Sequence, residues 1–425
     1  MSWEPYTPTS DQPWDSRRTV HLHRRTVFGA CWAEIERDLE GDPQDAITRV
    51  LQGKNRLGGL RPNFESKSRL ICNTALDTGS VDRLAAWWIF RCLHSPFPLE
   101  ERLTLMWHNH FATGADKVGN LRLMYRQNEV FRKHSQSQFG ALLTNMNEDP
   151  ALLVWLDAPL NKAGRPNENL AREIMELFAL GIGHYTEQDI QEAARALTGS
   201  TVKQLKYHFN QSAHDKGEKE ILGERGHWTP QDLPQILLQR EAASKRIAWR
   251  LVSEFFGEGV VSSELRDELA AGLRSNGLSI AWGVETILRS MLFFSDANIQ
   301  SRVCDPVSFV ISTIRSLELW ENAPSTLAMA VWIKRMGQQL FQPPNVGGWS
   351  GGRAWLSTKS VITRSNFASV ISEHVNAQTT APTDQINSLR LLLGGGEVST
   401  NARDANSEEI NWLHELLANP NAFLH

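Results

Sequence analysis

The sequence predicts a mainly α protein, a multi-helix globular array with one long irregular insert at about 198–234 and few or no strands. Three observations predict it. Apolar residues return at helical spacing along most of the chain. Outside the insert, the glycines and prolines gather into short interruptions between those segments. The composition, 41% hydrophobic and 22% charged, is that of an ordinary folded chain.

In order, residues 1–18 carry Pro5, Pro8 and Pro13 among polar residues and read as a flexible arm. From Trp32, the residues Ile35, Leu39, Ile47 and Val50-Leu51 fit two short helices broken at Gly41-Asp42-Pro43. Val81–Leu93 is an apolar helix closed by Ser95-Pro96-Phe97-Pro98, and a second begins at Leu99 and ends by Ala112. Residues 121–148 form one long helix or two short ones, and Asp149-Pro150 starts the next, Ala151–Leu156. Asn167–Leu180 is helical with a stop at Gly181-Ile182-Gly183, and Thr186-Glu187-Gln188-Asp189 resembles a capping box. Strand candidates, Val202–Phe209 and Glu220–Leu222, fall in the insert. Helices resume at about Leu233–Phe256, Ser262–Ser275, Ile280–Phe293, Pro306–Leu319 and Leu327–Phe341. A helical domain over 19–375, with core motifs at 107–111, 166–199 and 208–223, is therefore followed by a loosely packed tail, 376–425.

Composition narrows the function classes. Lysine plus arginine is 44 against 48 for aspartate plus glutamate, a net charge of -4, so no basic excess marks a dedicated nucleic-acid binder. Arg17-Arg18, Arg24-Arg25 and the stretch Arg122, Arg126, Arg132, Lys133 are too few to reverse that, and no nucleic-acid partner is expected. Cys31, Cys72, Cys92 and Cys304 lie far apart and read as reduced, buried thiols. No apolar run reaches the ~18 residues of a membrane span, and the first residues lack the apolar stretch of a secretory signal, so the chain reads as cytoplasmic. The 15 tryptophans demand many large pockets or stacking faces.

Chemistry concentrates in four stretches. In Pro166–Phe178, Asn169, Arg172, Glu173 and Glu176 share one helical face; Arg172 is four residues from both Glu168 and Glu176 and can bridge them. Such a face is either a solvated ion-pair ladder or a stripe of acids on a cavity, where Glu173 and Glu176 approach one cation. In Trp107-His108-Asn109-His110-Phe111 the two histidines point about 200° apart on a helix and cannot chelate one ion. His110 lies on the apolar stripe as a core histidine, and His108, beside Glu101 and Thr104, is the better site candidate. His214-Asp215 with Lys219 can supply two metal ligands, or a base and its orienting acid, or merely a solvated turn. Pro343-Pro344-Asn345-Val346-Gly347-Gly348-Trp349 through Trp355 is a shaped aromatic loop, its indoles either stacking platforms or buried anchors.

Together with Leu22-His23-Arg24-Arg25-Thr26-Val27-Phe28-Gly29, Gln127-Asn128-Glu129 and Asp149-Pro150-Ala151, these stretches resemble a bacterial family known as domain of unknown function 1800, over about residues 20–370. The resemblance implies a mainly helical protein, and a family whose biochemical activity is not established. It further implies members that are often exported and a frequent genomic neighbour, domain of unknown function 1501, that resembles phosphatases and sulfatases. This chain lacks the exported members' signal, so it stays in the cytoplasm or leaves bound to a partner carrying one.

Two functions compete. In the first, a metal-assisted hydrolase, Glu173, Glu176, His214 and Asp215 hold a divalent metal ion, His108 acts as acid or base, and Arg172 and Lys219 complete the catalytic set. In the second, a non-catalytic accessory or assembly protein, the chain works with a phosphatase- or sulfatase-like partner through its aromatic anchors.

Overall fold

Helices begin where the sequence writes a cap. In the computed structural model, which describes residues 2–56, 63–319, 323–376, 383–394 and 412–425, helix Pro43–Leu51 starts behind Asp42, whose carboxylate accepts from the Gln44 N–H. Asp149 and Asp305 do the same for Pro150–Trp155 and Pro306–Ser316. The Thr186 capping box forms: Thr186 Oγ1 accepts from the Asp189 N–H at 3.2 Å, and Asp189 Oδ2 accepts from the Thr186 N–H at 2.8 Å. The chain is largely α-helical, and among the described residues its strands are two antiparallel hairpins, both within the insert.

Ser200–Lys203 pairs with Lys206–Phe209, and Lys219–Ile221 pairs with Glu224–Gly226. Sequence pattern alone runs one strand through Val202–Phe209 because nothing at Gln204-Leu205 announces a turn. Both residues nevertheless adopt left-handed φ, 50° and 59°, and reverse the chain in two residues.

Two apolar cores divide the interior. One gathers Trp107, Phe111, Phe131, Phe139 and Phe178; the other gathers Trp87, Trp88, Val310, Ile333 and Phe367. Helices Ser16–Val27 and Pro98–His110 serve both, with Leu22, Leu103 and Trp107 in the first core and Val20 and Leu105 in the second. A helix enclosed on nearly all sides has no solvent face, so its charged residues must pair inside. Glu101 accepts from Arg91 Nε at 2.8 Å, Arg132 Nε at 2.9 Å and Trp88 Nε1 at 3.2 Å. Arg102 is ion-paired to Glu254 at 2.8 Å and to Asp305 at 3.2 Å. His23 contacts Asp38 at 2.7 Å, and Asp38 also pairs with Arg37 and Arg49.

Hydropathy patterning misses two helices, the first because of this buried charge. Ser16–Val27 buries ten residues, most of them Arg, His or Thr, so it shows no apolar stripe. Phe64–Thr78 buries Phe64, Ser68, Cys72 and Ala75, a stripe at the right spacing but, after Phe64, made of side chains too small to stand out.

The amino-terminal stretch read as a flexible arm is pinned to the body. Tyr6 is buried against Phe294, its N–H donates to the Arg289 carbonyl, and Pro5 bridges Ser290. Within the tail read as loosely packed, helix Trp412–Ala418 buries Leu413 and Leu417 in the second core. Leu389, Leu392, Leu393 and Phe423 join them there, and the stretches 377–382 and 395–411 of that tail lie outside the described residues. Cys31, Cys72, Cys92 and Cys304 are free and buried.

Asp149 gives a pH prediction. It caps Pro150–Trp155, accepting from the Leu152 N–H, and takes a 2.7 Å hydrogen bond from Gln127; burial raises its carboxyl to about 6 despite both. Because the folded pKa lies above the ordinary value, the native state holds the proton more tightly, and stability falls as pH climbs through that window. Asp149→Asn keeps the cap and an acceptor without the buried charge. Its urea midpoint is expected to exceed the parent's at pH 7.5 and to match it near pH 4; a lower midpoint at both contradicts this.

Candidate functional site

The sequence-derived ligand set does not assemble. Among the described residues no group of three or more His, Cys, Asp or Glu side chains is placed to hold a metal ion, so Glu173, Glu176, His214 and Asp215 do not form one coordination sphere. Helix Asn169–Glu173 widens at Ile174 into a π-helical run, Ile174–Ala179. This wider turn carries Glu176 out of the row that the four-residue spacing predicted. Arg172 therefore bridges Glu168 at 3.0 Å and Glu187 at 2.8 Å on the surface, while Glu176 accepts from Tyr185 Oη at 2.5 Å. Glu173 remains beside Glu176: burial and that neighbouring carboxylate raise its pKa, with Arg172 opposing.

The His-Asp-Lys group locks a loop. Asp215 forms a two-point pair with Arg195, at 2.9 and 3.2 Å, and caps the Gly217 N–H; the Arg195 pairing above all holds its carboxyl down at about 2. Lys219, 1% exposed, donates to the Asp215 and Gly217 carbonyls at 2.6 and 2.9 Å. His214 Nδ1 lies 3.0 Å from the Thr198 carbonyl, and burial pulls its pKa down. All these polar groups are spent on the chain itself.

His110 is the core histidine that its apolar stripe predicts, ringed by Trp107, Phe111, Phe139 and Phe178, but His108, the site candidate, is buried as well. His108 sits among the rings of Trp88, Phe131, Phe341 and Trp349, where burial lowers it to about 3 and keeps it neutral. Its Nε2 accepts from the Phe341 N–H at 3.3 Å. His110 bonds the Phe178 carbonyl at 2.9 Å and lines an open cleft.

That cleft, about 510 Å³, lies between helices Glu241–Phe255 and Ser263–Ser275 and the glycine-rich loop. Arg246, Trp249, Arg250 and Ser253 reach it from the first helix, Arg266 from the second, and Arg302 from the approach to Pro306. Four arginines thus line it against one carboxylate, Glu258. A smaller void of about 40 Å³ shares Asn109, Arg250 and Arg302 with it and reaches Glu254 and Asp305. Arg246 stacks on Trp249 at 4.2 Å, and burial lowers Arg246 to about 10. Burial and the guanidiniums of Arg302, Arg246 and Arg102 bring Arg250 to about 10 as well, Glu254 offsetting part of this. His110, pushed well down by burial and then by Arg246 and Arg250, registers the same positive potential.

The glycine-rich loop is fastened by Asn109. Its Oδ1 accepts from the Trp349 N–H at 2.7 Å and its Nδ2 donates to the Trp349 carbonyl at 3.2 Å. Gly348 makes this approach feasible, with φ at +76° and its α-carbon face against the Asn109 carbonyl. Trp349 and Trp355 are largely buried, the anchor reading of their two alternatives.

A family profile described as protein of unknown function (DUF1800) matches residues 21–417. The chain belongs to the DUF1800 family. No curated protein and no solved structure matches it. Among the described residues of this DUF1800 chain, no helix is long and apolar enough to cross a membrane.

Within the DUF1800 fold, the polar motifs that carried the resemblance divide in two. Arg24, Arg25 and His214 hold backbone carbonyls, His23 holds the Asp38 carboxylate and Asp215 holds Arg195. Asn109, His110 and the loop around Gly348 shape the cleft. Sequence reading missed Arg246, Arg250, Arg266 and Arg302. A signal was present: Arg246, Trp249, Arg250 and Ser253 recur at i, i+3, i+4 and i+7, one polar and aromatic stripe on a helix.

Proposed function

We propose that this chain is a non-catalytic binding protein whose arginine-lined cleft takes an anionic ligand. In this reading it serves as the accessory of the phosphatase- or sulfatase-like hydrolase implied by its family resemblance. One observation carries the reading: four arginines against a single carboxylate around a cleft of about 510 Å³. Glu254, behind the lining, pairs with Arg250 and Arg302 and offsets part of this charge, but no ion pair reaches Arg246 or Arg266 among the described residues. The remaining excess of like charge destabilises a chain unless an anion compensates it, and the volume lies within the ~300–1,000 Å³ of ordinary ligand sites.

Thermal unfolding tests it. Dextran sulfate and polyphosphate are expected to raise the Tm of the intact chain by several degrees in low salt, with the effect fading as salt rises; neutral dextran leaves Tm unchanged. No response to any polyanion would overturn the reading.

The second reading, metal-assisted hydrolysis, is favoured by one observation, the adjacency of Glu173 and Glu176. Two carboxylates suffice for Mg²⁺ when substrate phosphate completes the sphere. Calorimetric Mg²⁺ binding in the presence of a phosphate ester, lost in Glu173→Gln, supports it; unchanged heats in that variant remove it.

A further inference from the structure

We propose that the cleft binds a phosphate or sulfate monoester, its tetrahedral oxyanion held by Arg250, Arg266 and Arg302 and its organic part laid over Trp249. This rests on the cleft being the ligand site and names the chemistry it selects.

The anion class follows from how the arginines arrive. Arg250 comes from one helix, Arg266 from another, and Arg302 from the segment before Pro306. A planar carboxylate presents two oxygens in one plane and is satisfied by a single guanidinium fork. The three terminal oxygens of a monoester point in separate directions and accept forks from separate elements. The charge fits too: Glu254 pairs with Arg250 at 3.4 Å and Arg302 at 3.7 Å and Glu258 lines the cleft, so four arginines still face only two carboxylates, an excess of two that a monoester dianion matches and one carboxylate would only partly meet.

Arg250 marks the anchor. It is 8% exposed and lines the cleft; its Nη2 donates to the Met106 carbonyl at 3.1 Å and to Glu254 at 3.4 Å, while its Nε has no hydrogen-bond partner among the described residues. A buried guanidinium donor left unsatisfied costs stability, and it leaves this side chain only partly held by its own fold. The Arg266 backbone N–H serves its own helix, bonding the Ser262 carbonyl, and its side chain lines the cleft with no hydrogen bond or ion pair among the described residues, so its charge is uncommitted. Opposite them, Gly351 and Gly352 hold left-handed φ of +71° and +52°, and no atom lies within 4 Å of where either Cβ would sit. Consecutive glycines in this conformation leave the loop backbone accessible to an anion.

The organic part is assigned to Trp249. This indole is 38% exposed at the cleft, and Arg246 covers it at 4.2 Å. A solvent-facing indole next to an anion site offers an apolar surface to a sugar or other ring.

Calorimetry on the intact chain tests the assignment with glucose 6-phosphate, glucose 6-sulfate, inorganic phosphate, inorganic sulfate, glucuronate and glucose. One or both esters are expected to bind at least tenfold more tightly than inorganic phosphate, sulfate or glucuronate, and glucose not at all; the tighter ester names the group. Arg250→Gln and Arg266→Gln each weaken ester binding tenfold or more. Arg266→Gln removes no intramolecular bond, so its result stands even where Arg250→Gln fails to fold. Trp249→Ala brings ester affinity down to that of the inorganic ion. Binding of esters and protonation of His110, followed by its imidazole NMR signals, rise together.

Glucuronate binding as tightly as either ester overturns the monoester assignment and leaves the anion-binding reading intact. Polyanion stabilisation without ester binding does the same. Ester binding unaffected by Arg266→Gln and Arg250→Gln overturns the location.

Discussion

Replacing Glu101 with alanine is expected to lower the unfolding free energy by roughly 3–5 kcal/mol, the range for breaking a buried ion pair from one side. The carboxylate is fully enclosed and takes hydrogen bonds from Arg91, Arg132 and Trp88. Its removal takes the enclosed counter-charge from two buried guanidiniums, Arg91 and Arg132 at 7% and 5% exposed, and leaves them Glu65 and Glu129 nearer the surface. Glu101→Gln restores the shape and one acceptor but not the charge, so it falls between the two. The pH profile separates charge from shape. Burial pushes the Glu101 carboxyl up, yet Arg132 and Arg91 outweigh it and hold the group below its usual range. A carboxyl depressed in the folded state contributes stability that is present above its unfolded pKa and lost as pH falls through its folded pKa. The gap between parent and Glu101→Gln, read from urea unfolding, is therefore widest at pH 7 and narrows in acid. Equal stability of parent and Glu101→Ala at pH 7 contradicts the network.

The second large effect is expected at Gly348. An alanine there must adopt φ near +76°, and its Cβ would lie 2.5 Å from the Asn109 carbonyl oxygen while pressing on Asn109 Oδ1. Left-handed strain and overpacking each cost about 1–3 kcal/mol. The chain escapes most cheaply by releasing the loop and giving up the two hydrogen bonds between Asn109 and Trp349. Gly348→Ala should thus lower Tm, speed tryptic cleavage at exposed Arg353, and abolish the polyanion response. Alanine at Gly183, where a Cβ would meet nothing within 4 Å, carries only the conformational cost and controls for it. Equal cleavage rates and ligand responses in the two variants would show that the loop is not fastened by Asn109.

The helical architecture was legible because most helices here show a cap followed by an apolar stripe, as at Asp42-Pro43 and Thr186. It was not legible at Ser16–Val27, where the buried face is built of Arg and His, or at Gln204-Leu205, where tertiary context forces a turn on unremarkable residues. The site was read less well for a related reason. Polar residues close together in sequence, Glu173 with Glu176 and His214 with Asp215, suggested chemistry, but the fold uses His214 and Asp215 to tie down its own loop. The spacing argument at Arg172 failed because nothing in the local pattern signals a π-helical turn. The arginines of the cleft come from three segments, and only their convergence makes them conspicuous. His110 was rightly placed against the apolar core; its second face, open to that cleft, depends on elements more than a hundred residues away.

The most direct test is the thermal unfolding of Arg266→Glu without ligand at low ionic strength. If charge has been gathered in the cleft for an anion, reversing Arg266 relieves repulsion, and Tm rises while glucose 6-phosphate no longer shifts it. A fall in Tm with the glucose 6-phosphate response retained would mean that these arginines stabilise the fold and the ester binds elsewhere.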